Sequence, residues 1–408
     1  MNKNVEDNEM ITGDGAYIKQ INRGIILREI IKHQSISRAE LAKITGLNKA
    51  TISVQVADLL KDELITETEQ IHHAVGRRPI MLSINRSIGY VLGIDLDYHQ
   101  IQYTVCDLGG NPVATETVYF DTDRYEEIVD LLINHIRQVQ EQWSNCRYGL
   151  IGAVVGIHGS VSNDETINFV PKYQWKQKQL KQDLSDALDL NIMIENNANL
   201  SAYAEKVYQY HGSTDLVTII LTSGIGAGII IDGKLQKGFH GFAGEMGHMI
   251  ISPNGKSCKC GNKGCWELYA SETVLINQIA NKLKRPNLKA DDIQQFIADA
   301  DPVAVEELQL FIKNLSIGLN NVINLYNPEV LVITSDILKM YPETIEEIKN
   351  NLRSSVSQYR DIFISDLGNH SCVMGACAMA IQHFLEVPEL FLTLDGDLVE
   401  NNNEMKIL

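Results

Sequence analysis

The sequence predicts an α/β protein in which an N-terminal winged helix-turn-helix is followed by a larger body of two α/β lobes. Residues 17–61 contain three short amphipathic helical patterns with capping signals. Beyond them, a strand–turn–strand pattern at residues 90–120 returns at residues 215–238, each time with helical patterns after it. We therefore expect three segments: a helix-turn-helix domain over 1–84, a two-lobed body over 85–390 and a polar tail over 391–408, of which residues 395–408 should be loose.

Composition and charge indicate a globular protein whose two parts differ in charge. Of the 408 residues, 44% are hydrophobic, which is ample for sizeable cores. The formal net charge is −17, yet residues 1–90 carry 12 basic against 11 acidic side chains and the remainder carries 23 against 41. A near-neutral head on an acidic body indicates that only the head approaches the phosphates of nucleic acid.

The sequence carries no recognisable membrane or export signal. No apolar run approaches the roughly 20 residues that cross a bilayer, and the first twenty residues lack the basic start and apolar core of a signal peptide. We expect a cytoplasmic protein without a membrane partner. In that compartment thiols stay reduced, so a cysteine cluster favours metal binding over disulfide bonds.

The first two helices of the head are predicted from periodicity and capping. Isoleucines recur at helical spacing over residues 17–33, which predicts the first helix. Ser37 followed by Glu40 forms a capping box, so a short second helix should run from Arg38 to Thr45. Gly46 follows where the turn of a helix-turn-helix needs a residue that tolerates positive φ.

The third helix should read DNA, and a basic wing should follow it. Asn48 can cap this helix, and its apolar residues close the core, which leaves polar side chains for the major groove. The stretch "GRRPIMLSI" then resembles a β-wing with two arginines. The predicted DNA-facing residues are Arg38, Asn48, Lys49, Thr51, Ser53, Gln55, Arg77 and Arg78. Three packed helices without a nucleic-acid role are the alternative. Specific binding normally needs two half-sites, so we expect a homodimer on a near-palindromic operator.

The body should consist of two lobes that face a cleft. Three short strands are expected between Tyr90 and Phe120, with Asp95 at the first turn. In the second copy, a buried strand again meets a polar turn and a further strand follows immediately. Ligands of such folds usually bind where the lobes meet, so the cleft is the expected ligand site.

A cluster of one histidine and three cysteines predicts a structural metal site. His248, Cys258, Cys260 and Cys265 have the spacing H-x9-C-x-C-x4-C, and nearby glycines let the chain fold tightly around an ion. Four nitrogen and sulfur ligands suit a closed, tetrahedral Zn²⁺ site without an open position for water. Free structural thiols are the alternative.

These motifs resemble the ROK family, which comprises repressors and sugar kinases with the actin-like ATPase fold. The segments "SRAELAKITGLNKATIS", "GRRP" and "GEMGHMIISPNGKSCKCGNKGCWELYAS" are similar to its repressor branch, and most of all to xylose repressors of low-GC Gram-positive bacteria. The resemblance covers residues 17–385. It implies a two-lobed, actin-like body that binds a sugar.

The resemblance also implies where a kinase of this family would hold ATP, and two of the three features are degraded. The first turn reads "DLDYH", with Asp97 and Tyr98 where glycines should approach phosphate. The Gly-rich turn "TSGIGAG" over residues 222–228 survives, although a tight turn between strands also requires small residues. Thr334 and Ser335 replace the glycine pair near the nucleotide base. We therefore expect no useful binding of ATP.

The sugar site is expected by resemblance, without a catalytic base. In "IENNANLSAYAEK", Asn197 replaces the aspartate that deprotonates a sugar hydroxyl in the kinases, and an amide cannot accept that proton. The expected sugar-binding residues are Gly159, Asn196, Asn197, Glu245, His248 and Glu267. Two alternatives remain: the two glutamates are ordinary solvated carboxylates, and Asn196 is a turn or helix cap. A bound zinc ion would hold the loop between the two glutamates against the pocket.

The function implied is that of a sugar-responsive transcriptional repressor. A dimer would hold its heads at operator spacing until a monosaccharide, with xylose the favoured inducer, closes the lobes. One rival interpretation is an active sugar kinase with a regulatory head. The other is a repressor controlled by a protein partner.

Overall fold

The structure is a computed structural model that describes residues 15–69 and 79–396. The head begins with a long helix and continues as a helix-turn-helix with a two-stranded wing. Its elements are α1 (Gly15–His33), β1 (Ile36–Ser37), α2 (Arg38–Thr45), α3 (Lys49–Lys61), β2 (Ile65–Glu69) and β3 (Ile80–Ile84). β3 pairs antiparallel with both β1 and β2.

Local capping explains where the helices of the head begin and end. Ser37 and Glu40 form both hydrogen bonds of the predicted capping box at the start of α2. Gly46 follows α2 with φ of +71°, and Asn48 accepts a hydrogen bond from the Thr51 amide at 2.8 Å to cap α3. These predictions are confirmed. Side chains of all three helices then fill one core: Ile26, Leu27, Ile30, Leu41, Ile52 and Leu59.

The first lobe is built on a five-stranded sheet. Its elements are β4 (Tyr90–Asp97), β5 (Gln100–Asp107), β6 (Pro112–Tyr119), α4 (Tyr125–Gln142), β7 (Leu150–Ile157), β8 (Ser160–Val161), β9 (Ile167–Val170), β10 (Trp175–Lys178), α5 (Leu180–Ala187), β11 (Asn191–Asn196) and α6 (Asn197–Tyr208). The strand order is β11-β7-β4-β5-β6. Asp95 lies within β4, so the prediction that it sits at the turn is wrong. The turn is formed by Tyr98 and His99.

The second lobe repeats this sheet. Its elements are β12 (Leu216–Ile220), β13 (Gly226–Ile231), β14 (Lys234–Leu235), α7 (Glu267–Ala270), α8 (Glu272–Leu283), α9 (Ala290–Ala298), α10 (Pro302–Tyr326), β15 (Val330–Thr334), α11 (Asp336–Met340), α12 (Thr344–Asn351), β16 (Asp361–Ile364) and α13 (Ser371–Leu385). In both sheets the first strand pairs antiparallel with the second and parallel with the fourth. The predicted duplication is therefore confirmed.

Residues 386–396, which we call the C-terminal strap, tie the head to the body. Leu392 is only 1% exposed, and its amide donates to the carbonyl of Val207 at 3.0 Å. The predicted polar tail thus begins with residues that pack on the body. Of the residues predicted to be loose, Asp395 forms an ion pair with Arg86, and residues 397–408 lie outside the described part of the chain. One face of α1 contacts the strap at four positions spaced by four residues: Gln20, Gly24, Arg28 and Lys32.

Gly24 permits the closest of these approaches. A Cβ atom at this position would lie 2.7 Å from the carbonyl oxygen of Glu386. Val387, Leu390 and Leu392 of the strap join the same buried cluster as the core of the head. Head and body thus share a continuous apolar interior. Within the described ranges, no helix combines the length and apolar character needed to cross a bilayer.

Candidate functional site

The outer face of α3 carries some, but not all, of the predicted DNA-facing side chains. Lys49 and Ser53 are exposed, and Thr51 is half-buried. Gln55 is 3% exposed and donates through Nε2 to the carbonyl oxygen of Lys19 at 3.2 Å. Its assignment to the outer face is therefore wrong. α1 crosses α3 at this point, a tertiary contact that helical periodicity does not reveal. Val54, which is not among the predicted contacts, is 57% exposed there and is of a type that contacts thymine methyl groups.

The remaining predicted DNA contacts are engaged locally or lie outside the described residues. The Arg38 guanidinium forms an ion pair with Glu67 of β2, which joins α2 to the wing. The Asn48 side chain caps α3 through the Thr51 amide. Arg77 and Arg78, at the predicted tip of the wing, lie outside the described residues.

The histidine and three cysteines of the predicted metal motif come together in space. The ligand atoms of His248, Cys258, Cys260 and Cys265 all lie within 4.8 Å of one another. Cys260 Sγ is 3.6 Å from Cys265 Sγ, and Cys258 Sγ is 3.7 Å from His248 Nδ1. The histidine and the three cysteines all lie on one loop between β14 and α7. Isolated β-bridges, such as that between Ile250 and Cys265, close this loop.

These distances fit a tetrahedral ion. At metal–sulfur distances of ~2.3 Å and metal–nitrogen distances of about 2.0 to 2.1 Å, tetrahedral ligand atoms lie roughly 3.5 to 3.8 Å apart. A disulfide bond would instead require about 2.05 Å between the sulfur atoms, and the cysteines are free. The four residues therefore form a cluster that can hold a metal ion.

The two predicted sugar-binding glutamates flank the same histidine. Glu267 Oε1 is 3.5 Å from His248 Nδ1 and accepts from the Cys258 thiol at 3.3 Å. Glu245 Oε2 is 3.8 Å from His248 Nε2, on the other side of the ring. Nδ1 thus faces the cysteines and Nε2 faces Glu245. A metal ion on Nδ1 would fix the ring and leave Nε2 directed at the Glu245 side.

The Gly-rich turn lies between this loop and α6, and its glycines serve close packing. A Cβ atom on Gly226 would lie 3.2 Å from Cβ of Ala198, and one on Gly224 would lie 3.0 Å from Glu267 Oε2. At Gly228, a Cβ atom would overlap the carbonyl of Ala198. The segment over residues 222–228 therefore approaches both the start of α6 and Glu267 too closely for larger residues at these three positions.

At the start of α6, the two asparagines have different roles. Asn196 is the N-cap: its Oδ1 accepts from the amides of Ala198 and Asn199, and its Nδ2 donates to the carbonyl of Gly159 at 2.9 Å. The capping alternative thus describes this side chain. Asn197 is the first residue of the helix, and its Nδ2 lies 3.4 Å from His158 Nδ1.

His158 was not predicted, and it is the centre of a charged group in the first lobe. Its Nε2 lies 2.7 Å from Asp95 Oδ1, and its Nδ1 lies 3.7 Å from Asp97 Oδ1. Burial lowers the pKa of the imidazole, but the two carboxylates outweigh burial and raise the pKa to about 9. Lys172 completes the group at 3.2 Å from Asp97. No local sequence pattern places a residue at the end of β7 beside Asp95.

A second buried residue near α6 was also not predicted. Glu195 is 4% exposed, and its Oε1 accepts from the amide of Asn196 and from Nδ2 of Asn199 at 3.0 Å. Its Oε2 lies 2.8 Å from Nζ of Lys237, on the loop after β14. This carboxylate connects the first lobe to the second lobe beside the expected sugar site.

The position of the missing glycine pair is occupied by a buried hydrogen-bond cluster. Ser335 Oγ donates to Glu272 Oε1 at 2.5 Å and also accepts from the Leu338 amide to cap α11. The Ile337 amide donates to the same carboxyl group at 3.0 Å. Burial raises the pKa of Glu272 to about 7, although these hydrogen bonds oppose the shift. The space that glycines would open is therefore filled.

Comparisons with known proteins agree with this architecture. A profile of the ROK family matches residues 91–383, and a profile of winged helix-turn-helix DNA-binding domains matches residues 21–66. The chain is 35% identical to the xylose repressor of Bacillus subtilis over 93% of this chain and 99% of that protein. It is 26% identical to the glucokinase of Streptomyces coelicolor over 72% of this chain and 98% of that protein.

Two solved structures are similar over most of the body. A ROK family transcriptional regulator described as a homologue of the Escherichia coli MLC protein is 26% identical with a TM-score of 0.77, over 90% of this chain and 97% of that chain. A ROK family glucokinase from Streptomyces griseus in complex with glucose and AMPPNP has a TM-score of 0.65 at 26% identity, over 72% and 100%. Both profile matches and the full-length similarity to a xylose repressor show that this chain belongs to the ROK family.

Proposed function

We propose that this protein is a sugar-responsive transcriptional repressor that binds operator DNA as a homodimer and is released by a monosaccharide. The observation that carries the proposal is the combination of a winged helix-turn-helix with a sugar-kinase body in which Asn197 replaces the base. Similarity to xylose repressors over nearly their full length supports xylose as the inducer. The DNA-binding head and the free cysteines support a cytoplasmic location.

The head would read DNA with the exposed side of α3. Lys49, Ser53 and Val54 offer a cation, a hydroxyl group and a methyl surface to the major groove, with Thr51 beside them. Arg77 and Arg78 would contact phosphate or the minor groove from the wing. Arg38 would act indirectly, since its ion pair with Glu67 fixes the wing against α2. Two such heads are needed for a specific site, which is why we propose a dimer.

The sugar would bind between the start of α6 and the metal-cluster loop. Asn197, Glu245 and Glu267 supply amide and carboxylate groups, His248 contributes Nε2, and Asn196 and Gly159 shape the wall through their mutual hydrogen bond. Such a set suits a polyol because hydroxyl groups both donate and accept. A ligand without one of these hydroxyls would leave a polar group unpaired.

We propose that the metal ion is zinc and that its role is structural. Three thiolates and one imidazole form a soft, closed ligand set, the composition that selects zinc. The ion would join Cys258 and Cys260, at the middle of the loop, to His248 and Cys265 near its ends. Glu245 lies three residues before His248 and Glu267 lies two residues after Cys265, so the ion would hold both carboxylates at the pocket.

We also propose that the protein does not transfer phosphate. An amide at position 197 cannot accept the proton of an attacking hydroxyl. Asp97 and Tyr98 stand where backbone amides should approach phosphate, and Glu272 with Ser335 fills the position of the glycine pair. A kinase site would need all three of these features: the base, the glycines of the first turn and the glycine pair.

The test is to select duplexes from a random library with the purified full-length protein and then titrate a selected duplex by fluorescence anisotropy. Saturating xylose should weaken DNA binding about 5- to 150-fold, the range of typical allosteric coupling. Glucose and a sugar-free sample serve as comparisons. The proposal fails if no pentose or hexose changes the affinity for DNA, or if ATP is consumed in the presence of the sugar.

A further inference from the structure

The first part of the loop that follows β14 reaches from the second lobe onto the first lobe. It covers residues 237–243, which we call the bridging loop. The bridging loop is closed at its base, where the amide of Ala243 donates to the carbonyl of Lys237 at 3.0 Å. Glu245, one of the proposed sugar-binding residues, follows two residues later. The attachment of this loop therefore constrains where Glu245 lies relative to the first lobe.

Lys237 forms the most buried attachment of the bridging loop. Its Nζ lies 2.8 Å from Oε2 of Glu195, and the Glu195 side chain is only 5% exposed. The other oxygen of this carboxylate, Oε1, accepts from the amide of Asn196 and from Nδ2 of Asn199. Glu195 thus binds the start of α6 through one oxygen and the second lobe through the other. One carboxylate joins the bridging loop to the helix that begins with Asn197.

A second attachment of the bridging loop is polar and exposed. Asn163, on the turn between β8 and β9, donates through Nδ2 to the carbonyls of Gly238 and Phe239 at 3.2 and 2.9 Å. The tip adds little apolar packing, since Phe239 is 90% exposed. Polar contacts therefore hold the loop on the first lobe. The ion pair of Lys237 is shielded from water, so it should contribute more than the exposed hydrogen bonds.

We propose that Lys237 is a positioning residue for sugar binding, which anchors the bridging loop to Glu195 and so holds Glu245 at a fixed spacing from Asn197. The inference rests on the proposed sugar-binding function of the cleft. Glu245 and Asn197 belong to different lobes. A sugar that contacts both must suppress any motion between them. An anchor that fixes their spacing in advance lowers this entropic cost and raises the affinity for the sugar.

Lys237→Met tests the anchor, because it keeps the length of the side chain and removes its charge. Calorimetry of the full-length, zinc-loaded protein should use xylose first and then glucose. The variant should bind the sugar that the wild type binds about 10-fold more weakly, or worse, since the hydrogen bond to a charged group is lost.

Lys282→Met is the matched control for this variant. Lys282 also pairs with a buried glutamate, Glu307, whose side chain is 4% exposed, but both residues belong to the second lobe. Chemical denaturation should show a loss of stability in both variants, because each leaves a buried carboxylate without its cation. The affinity of the control for the sugar should stay within about 2-fold of the wild type.

Two further variants test the anchor without removing the charge of Lys237. Lys237→Arg keeps a cation beside Glu195 and should recover most of the affinity that Lys237→Met loses. Asn163→Ala removes the exposed attachment and uncovers no buried charge, so the protein should fold normally. It should weaken sugar binding about 2- to 10-fold, with little change in the midpoint of denaturation.

Several results would overturn the inference while leaving the sugar-binding function intact. One is a folded Lys237→Met variant with the affinity of the wild type, and another is an equal loss of affinity in Lys282→Met, which would reflect stability alone. If Lys237→Met does not fold, Asn163→Ala decides, and an unchanged affinity in that variant contradicts the anchor. If the wild type bound neither sugar, the proposed function itself would fail together with this inference.

Discussion

The two lobes share one strand order but carry opposite chemistry at equivalent turns. In the first lobe, Asp97 ends β4 and Tyr98 lies in the turn to β5, and Asp97 is paired with Lys172. In the second lobe, the turn between β12 and β13 is rich in glycine and packs against Ala198 of α6. The duplicated sheet thus produces two equivalent turns, and the side chains of each turn decide what it can do.

The difference bears on the proposal that this protein does not transfer phosphate. Close approach of backbone to phosphate requires glycine at both turns, and the first lobe has replaced it with charged and aromatic groups. Packing of the second turn against α6 needs the same small residues, so they can persist without any nucleotide. The charged group around His158 belongs to the first lobe, whereas the histidine and cysteines that can hold a metal ion belong to the second lobe.

The largest effect is expected in the second lobe, from Cys260→Ser. Losing one of four ligands should release the zinc ion, free the loop that carries Glu245 and Glu267, and weaken sugar binding by more than about 10-fold. Cys146→Ser, which alters a free cysteine of the first lobe, is the control and should change neither property. Elemental analysis measures the zinc content, and calorimetry measures the affinity for the sugar. A variant that loses zinc yet keeps its sugar affinity would refute the role of the metal.

A smaller loss is expected from adding one methyl group to the glycine turn. Gly228→Ala would place Cβ on the carbonyl of Ala198, so strand and helix must separate, at a cost of about 1 to 3 kcal/mol in the free energy of unfolding. Tyr98→Ala in the equivalent turn of the first lobe removes a partly exposed ring and should cost less than Gly228→Ala. Denaturant unfolding compares the two, and equal costs would contradict the distinction between the turns.

The lobes should also respond to pH in different windows. Folding raises the pKa of Glu272 from 4.5 to about 7, so the folded state holds its proton more tightly, and stability falls as pH rises from about 4.5 to 7. Folding raises the pKa of His158 from 6.5 to about 9, so its contribution is present below 6.5 and is lost as pH rises toward 9.

Each window can be removed separately. Glu272→Gln should remove the pH dependence of the free energy of unfolding in the lower window, and His158→Gln should remove it in the upper window. In each variant, the change in this free energy between the two ends of the window should be smaller by about 1 to 3 kcal/mol. Chemical denaturation at several pH values measures these slopes. Unchanged slopes in both variants would show that neither group titrates as its surroundings imply.

The smallest effect is expected from restoring the kinase residue. Asn197→Asp places a carboxylate 3.4 Å from His158, whose charge should keep the carboxylate ionised and bound, and the first turn still lacks its glycines. ADP release with ATP and xylose should therefore stay at background. Turnover in this single variant would mean that Asn197 alone separates the protein from a kinase.

Local patterns predicted the parts of the molecule that local interactions determine. The capping box of Ser37 and Glu40, the positive φ of Gly46 and the metal cluster all depend on residues near in sequence, and the duplicated sheet shows as a repeated pattern. Gln55 was predicted wrongly because its burial comes from a contact with α1. The packing of Leu392 against α6 was not predicted because its partner, Val207, is distant in sequence. His158 was missed because its partners, Asp95 and Asp97, lie some sixty residues away on another strand.

The central claim is that the body binds a monosaccharide and transfers nothing to it. Calorimetric titration of the zinc-loaded protein with xylose and then with glucose, each with and without ATP and Mg²⁺, tests both halves at once. We predict a saturating binding curve for a sugar that is the same in both conditions. Sustained heat release with ATP present, or no binding heat from either sugar, would contradict the claim.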